Sequence, residues 1–217
     1  MDDKKDYFQD LLQEPVPAYL TSVERRTGKK QGEYTISDYL ALPEDERWEL
    51  IDGHLYRMAA PATDHQVILG ELYYRIRNCI ESCGEDCLIL AAPTDVQLDM
   101  DDRTIVEPDL IVLCDLKKLQ KKRIAGAPDL LVEILSPSSR SRDMILKNRK
   151  YRKAGVREYW IVDPEEKCVI VSIFEKEMEE FTSRIYDFSS EIPVGISEGR
   201  CRIDFAGIAG KLKGLYP

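Results

Sequence analysis

Pro128 to Leu135, "PDLLVEIL", is an apolar stretch with a carboxylate set in it. Read as a strand, it puts Leu131, Glu133 and Leu135 on one side and Leu130, Val132 and Ile134 on the other, because side chains alternate across a pleated chain. Neither side is wet, and burying an ionised carboxylate without a partner costs several kcal/mol, roughly. Glu133 therefore calls for a cation, a proton or a metal. A second acid stands in a matching context: "PDLIV" at 108–112 echoes "PDLLV" at 128–132, so the two segments read as similar central strands. The linker between them, Asp115 to Ala127, holds no clear crossover helix, which favours antiparallel pairing. That pairing brings Asp109 beside Glu133 to Leu135 and sends Asp129 to the opposite end, near Cys114 or Asp115. Two carboxylates so placed raise each other's charging cost unless a divalent cation bridges them. Oxygen donors with no Cys or His alongside favour magnesium or manganese over zinc. The plainer alternative makes Asp109 a strand-end residue and pairs Glu133 with a nearby Lys or Arg.

The next segment supplies such cations. Between Arg140 and Lys153 stand seven basic residues, Arg140, Arg142, Lys147, Arg149, Lys150, Arg152 and Lys153, against one acid, Asp143. Like charges three and four apart repel on a helix, so this one calls for an anionic partner or is simply a solvated face. Asp143, Lys147, Tyr151 and Ala154 fall on one stripe, and Lys147 can reach back over the sheet toward Glu133. There it would stabilise the charge that grows during phosphodiester hydrolysis. A local Asp143 to Lys147 helix pair competes with that role.

These residues need a scaffold, and the sequence outlines one. Residues 1–32 read as a polar, proline-broken N-terminal extension, and 33–217 as a single domain. A helix begins at Thr35 or Ser37 and stops at Pro43. In "RWELIDGHLYRM", two alternating runs flank Asp52-Gly53, a strong hairpin signal. "HQVILGELYYRIRNCIES" has helical periodicity and ends at Gly84. "CLILAAPTDVQLDM" gives one strand broken by Pro93 or two short ones, "EPDLIVLCD" another, and "PDLLVEIL" the next. A helix capped near Ser139 or Ser141 and ended by Gly155 leads to a hairpin turning at Asp163-Pro164. The order suits a mixed β-sheet flanked by helices, an α/β sandwich with added hairpins.

Composition narrows the classes further. No apolar run reaches the length of a membrane span and the N-terminus has no hydrophobic signal core, so the expected location is cytoplasmic. The six cysteines include no CxxC pair and no neighbouring histidine, and ordinary packing of small apolar thiols is expected of them. A net charge of −9 argues against one broad basic face but leaves room for a local basic groove.

Asp109 after a proline, Glu133 within "VEIL" and a lysine on the following helix resemble the PD-(D/E)xK nuclease superfamily. "WELIDGHL", "EPDLIVL", "GAPDLLVEILSPSSRSRD", Lys147, Tyr151 and "GVREYWIVDP" are similar to a bacterial restriction endonuclease-like family within it, over about residues 35 to 190. The resemblance implies a restriction endonuclease-like fold and magnesium-dependent cleavage of DNA, with Asp109, Glu133 and the main-chain carbonyl of Ile134 as metal ligands. The superfamily signature wants lysine two places after the acid, where this chain has Leu135, and the similar branch draws it from the next helix, which makes Lys147 the candidate. Glu49 and His65 also match the branch. Glu49 is then either an extra acid of the metal shell or a water-exposed hairpin residue, and His65 either a base or a capping, hydrogen-bonding residue. The implied activity is metal-dependent hydrolysis of DNA phosphodiester bonds, for which a homodimer would serve two strands. The alternatives are a non-catalytic nucleic-acid-binding module that keeps the nuclease fold and, further off, an interaction protein with a salt-bridged acid pair.

Overall fold

The structure is a computed structural model that describes residues 18–99, 101–175, 180–213 and 215. Helix α1 (Ala18–Thr27) and the single turn α2 (Ile36–Tyr39) precede a hairpin of β1 (Trp48–Ile51) and β2 (His54–Arg57). The expected helix after Thr35 is present but short: the Thr35 N–H donates to Asp38 Oδ2 at 2.7 Å, and the chain leaves the helix at Leu40, ahead of Pro43. The hairpin turns at Asp52 and Gly53, whose φ angles of 51° and 79° are the left-handed pair that a two-residue connection of this type needs. Gly53 has no room for a side chain, since a Cβ there would stand 2.7 Å from the Gly32 carbonyl oxygen.

The chain continues through α3 (Thr63–Ser82), β3 (Leu88–Ala91), β4 (Val96–Gln97), β5 (Leu110–Leu113), β6 (Ile124–Ala125) and β7 (Leu130–Ile134). A crossover helix follows, built from a π-helical turn (Arg142–Lys147) running into α4 (Asn148–Ala154) and closed by Gly155 at φ 85°. Then come β8 (Glu158–Asp163), β9 (Cys168–Glu175), β10 (Glu180–Asp187), β11 (Glu191–Pro193), β12 (Arg202–Asp204) and α5 (Phe205–Lys213).

Six strands form one mixed sheet in the order β10-β9-β8-β7-β5-β3. Its neighbours are antiparallel except β7 and β8, which run parallel and so require the crossover helix between them. β5 and β7 pair antiparallel, as expected, with Leu110 opposite Val132 and Ile111 opposite Leu131. Continued one residue, that register sets Asp109 across from Glu133. At the other end Asp129 Oδ2 accepts from the Cys114 N–H at 2.8 Å, again as expected.

Alternation divides the sheet into two buried faces. Leu110, Val112, Leu130, Val132 and Trp160 pack with helices α3 and α5. Ile111, Leu113, Leu131, Tyr159 and Ile161 pack with Tyr151 of the crossover helix and Ile51 of the first hairpin. Glu133, adjacent to Val132, belongs to this second face. A separate cluster joins Val23 of α1 to Tyr34, Trp48, Leu50 and Ile105, so the described part of the first 32 residues contributes to a core. Among the described residues no helix is long and apolar enough to cross a membrane.

The cysteines depart from the expectation of simple packing. Cys79 is bonded to Cys201 and Cys87 to Cys114, while Cys83 and Cys168 are free thiols. Sequence spacing could not reveal the first bridge, whose partners stand 122 residues apart. The second extends the β3–β5 ladder one step beyond Leu88 and Leu113.

Candidate active site

Glu133 finds its partner, and more than one. The Lys147 ammonium lies 2.9 Å from Glu133 Oε1, and the Tyr151 hydroxyl donates to the same oxygen at 2.7 Å. Lys147 also meets Glu49 at 2.7 Å and Asp143 at 3.2 Å. One ammonium, 1 % exposed, thus sits among three carboxylates from three elements: β1, β7 and the π-helical turn. Arg142, one residue before Asp143, adds a second cation 3.4 Å from Glu49 Oε2, with its guanidinium 5.4 Å from the centre of the Tyr56 ring.

Asp109 enters from the adjoining strand end. Its Oδ2 accepts from the Ile134 N–H at 2.7 Å and lies 3.2 Å from His65 Nε2, which α3 presents from its first turn. Facing a carboxylate oxygen, His65 Nε2 can only donate, and that hydrogen bond fixes the orientation of Asp109. Glu49 is wholly buried, which excludes the water-exposed hairpin role, and its Oε1 also accepts from the Glu107 N–H at 2.9 Å.

The local charge is unbalanced. Four carboxylates, Glu49, Asp109, Glu133 and Asp143, face two permanent cations. Burial pushes the Glu133 carboxyl well above the usual glutamate range; Lys147 opposes that push, and Asp143, Asp109 and Glu49 reinforce it. Burial pulls the Lys147 ammonium down, but Asp143, Glu133 and Glu49 together outweigh it, so the group is held charged, above the ordinary lysine value. Burial and Glu133 raise the Tyr151 phenol, which keeps the proton it donates. Three atoms of the cluster, Glu49 Oε2, Arg142 Nε and Asp143 Oδ1, are buried without a hydrogen bond, although each stands in an ion pair.

The fold therefore draws together all five expected side chains: Glu49, Glu133 and Lys147 in direct contact, with Asp109 and His65 alongside as a pair. The rival Asp143 to Lys147 contact is present as well, so the two readings of Lys147 are one arrangement. Sequence reasoning missed the role of Arg142, signalled only by its position next to Asp143, and the central place of Asp143, which it had put on the Lys147 stripe only as a local helix partner. It also missed Lys150, which is 3 % exposed and holds Asp52 at 2.7 Å and Asp99 at 2.6 Å. That contact pins the turn of the hairpin carrying Glu49 to the helix carrying Lys147.

The residues fit a hard divalent cation in part. Asp109 and Glu133 each turn one oxygen, Oδ2 and Oε1, to protein donors, and their other oxygens take none of those bonds. Among the described residues no group of three or more His, Cys, Asp or Glu forms a ready metal cage. An ion at these two acids would need the Ile134 carbonyl and water to complete its shell.

Residues 36–193 match the Uma2 family model, described as "Putative restriction endonuclease", and the chain belongs to that family. An uncharacterised protein, slr1290, of Synechocystis sp. is 31% identical over 106 residues, 49% of this chain. The aligned stretch spans about half that relative, 54% of its length. A crystal structure described as a putative nuclease belonging to DUF820, from Anabaena variabilis, superposes with a TM-score of 0.66 at 22% identity. It covers 82% of this chain and 98% of its own, and supports the same nuclease-like fold, a six-stranded mixed sheet with helices.

Proposed function

We propose that this chain hydrolyses DNA phosphodiester bonds with magnesium or manganese at the Asp109–Glu133 end of the central sheet. The observation that carries the reading is the charge surplus: four acids against two cations in a buried cluster, with one oxygen of Asp109 and one of Glu133 left over. Asp109, Glu133 and the Ile134 carbonyl would hold the ion. When bound, such an ion lowers the pKa of water and offsets phosphate charge. His65 orients Asp109 by donating from Nε2. Tyr151 and Lys147 fix Glu133 through Oε1. Lys147, kept protonated by Glu49, Glu133 and Asp143, is the chain's cation for the charge that develops on the phosphoryl oxygens.

One observation favours a second reading, a nucleic-acid-binding module without turnover: Lys147 already has three carboxylate partners and is 1 % exposed. Nicking of supercoiled plasmid and of single-stranded DNA, with and without magnesium, separates the two. Cleavage that needs the metal and disappears in Asp109→Ala and Glu133→Ala is the expected result. Undiminished cleavage by Glu133→Ala overturns the proposal, and salt-dependent DNA binding without cleavage selects the second reading.

A further inference from the structure

The seven basic residues of the crossover helix are divided by the fold. Arg140 pairs with Asp163, Arg142 with Glu49, Lys150 with Asp52 and Asp99, and Lys147 lies in the acid cluster. Arg149 and Lys153 are exposed and, together with Arg152, line an open groove of about 810 Å³ on the outer side of the helix. Met144, Ile145 and Phe174 of β9 give this groove an apolar wall. No acid among the described residues lines it. Arg149 and Lys153 stand four residues apart, so on a helix their Cβ atoms are neighbours, roughly 5–6 Å from each other. Two cations in file beside an aromatic ring and aliphatic side chains are what a strand with bare bases requires, phosphates on the charges and base faces on the apolar wall. A duplex offers the phosphates but hides the base faces.

We propose that this groove binds single-stranded DNA, an unpaired end or opened strand running along the outside of the helix whose inner side carries the hydrolytic cluster. The location beside a reaction centre rests on the nuclease reading above; the binding itself does not.

The test is fluorescence anisotropy of labelled oligothymidylate and of a duplex of equal length, with the whole chain, no divalent ion and a salt series. Wild type is expected to bind the single strand more tightly than the duplex. Arg149→Ala/Lys153→Ala, two exposed sites, should weaken single-strand binding about tenfold or more and lower the log–log salt slope by about 1.4, since each phosphate contact on a single strand contributes about 0.7. Phe174→Ala should weaken the single strand and spare the duplex. Unchanged affinity and slope in the double variant overturn the proposal, as does an equal loss on both DNA forms with Phe174→Ala. Competition by polyglutamate at the same concentration as the oligonucleotide overturns it in favour of an acidic peptide partner. Because cleavage is not read, failures separate: a wild type that binds in the groove but never cuts sinks only the nuclease reading, and an unaffected double variant sinks only the groove.

Discussion

Two buried glutamates stand on neighbouring parallel strands and are treated in opposite ways. Glu158, on β8, alternates with Trp160 toward the α3 side of the sheet, is wholly buried, and meets neutral donors: Trp160 Nε1 at 2.6 Å and the Ile196 N–H at 2.9 Å. The chain keeps a glycine there, where a Cβ on Gly195 would stand 2.8 Å from Ile173 Cδ1 and 3.1 Å from Glu158 Oε2. Glu133, on β7, faces the other side and meets charges: Lys147 directly, with Glu49, Asp143 and Arg142 around it. A carboxylate recruited for architecture is closed off with hydrogen bonds that ask for nothing more. The one among ions stands in a cluster with surplus charge and with orphaned atoms on Glu49, Arg142 and Asp143, which is costly for a core and useful in a reaction centre.

Substitutions can break that contrast. The largest effect is expected from Lys147→Met, which strips the common cation from three buried acids: urea unfolding should show a loss of about 3–5 kcal/mol. A loss below about 1 kcal/mol would mean that the acids are neutralised some other way. Glu133→Gln keeps the shape and an acceptor for Lys147 and Tyr151, so stability should move little. Metal-dependent cleavage should nevertheless fall by at least about a hundredfold, because even outer partners of metal ligands are worth about 10–100-fold. Glu158→Ala reverses the pattern. Leaving Trp160 Nε1 and the Ile196 N–H buried without an acceptor costs about 1–3 kcal/mol for each group, while cleavage per folded molecule stays at the wild-type level. An equal loss of activity in both glutamate variants would erase the distinction.

The smallest effect is one of pH. Burial raises the Glu158 carboxyl, with the backbone and Trp160 hydrogen bonds only partly offsetting it. The folded state thus holds a proton there that the unfolded chain has released. That contribution is complete below the ordinary value of 4.5 and is lost as pH rises through the raised one. Glu158→Gln does not titrate, so its melting temperature should gain on wild type as pH is raised across that window. A constant difference would mean that Glu158 is ionised throughout.

What the sequence made legible was local or periodic. Asp52-Gly53 announced its hairpin, the echoed "PDL" segments their antiparallel pairing, and the alternation around Glu133 its burial. Lys147 fell on a helical stripe from which it could reach back over the sheet toward Glu133, and the family resemblance singled it out. The rest depended on distance or on shape that composition does not encode. Lys150 finds Asp52 and Asp99 from 98 and 51 residues away. The π-helical turn at Arg142–Lys147 adds a residue to the turn, and a pattern read at 3.6 residues per turn does not register it. Arg142 looked like one more surface charge because its acid, Glu49, comes from the first hairpin.

The two sulfur bridges fasten the end of the molecule remote from the acids. Cys79 lies in the last turn of α3, whereas His65 opens that helix, and Cys87–Cys114 closes the strand ends opposite Asp109. Cross-linking residues this far apart in sequence stabilises a fold by about 2–4 kcal/mol. A mild reductant should accordingly shorten the protein's survival on heating while leaving whatever cleavage rate each surviving molecule has unchanged, so that durability and any chemistry answer to separate parts of the chain.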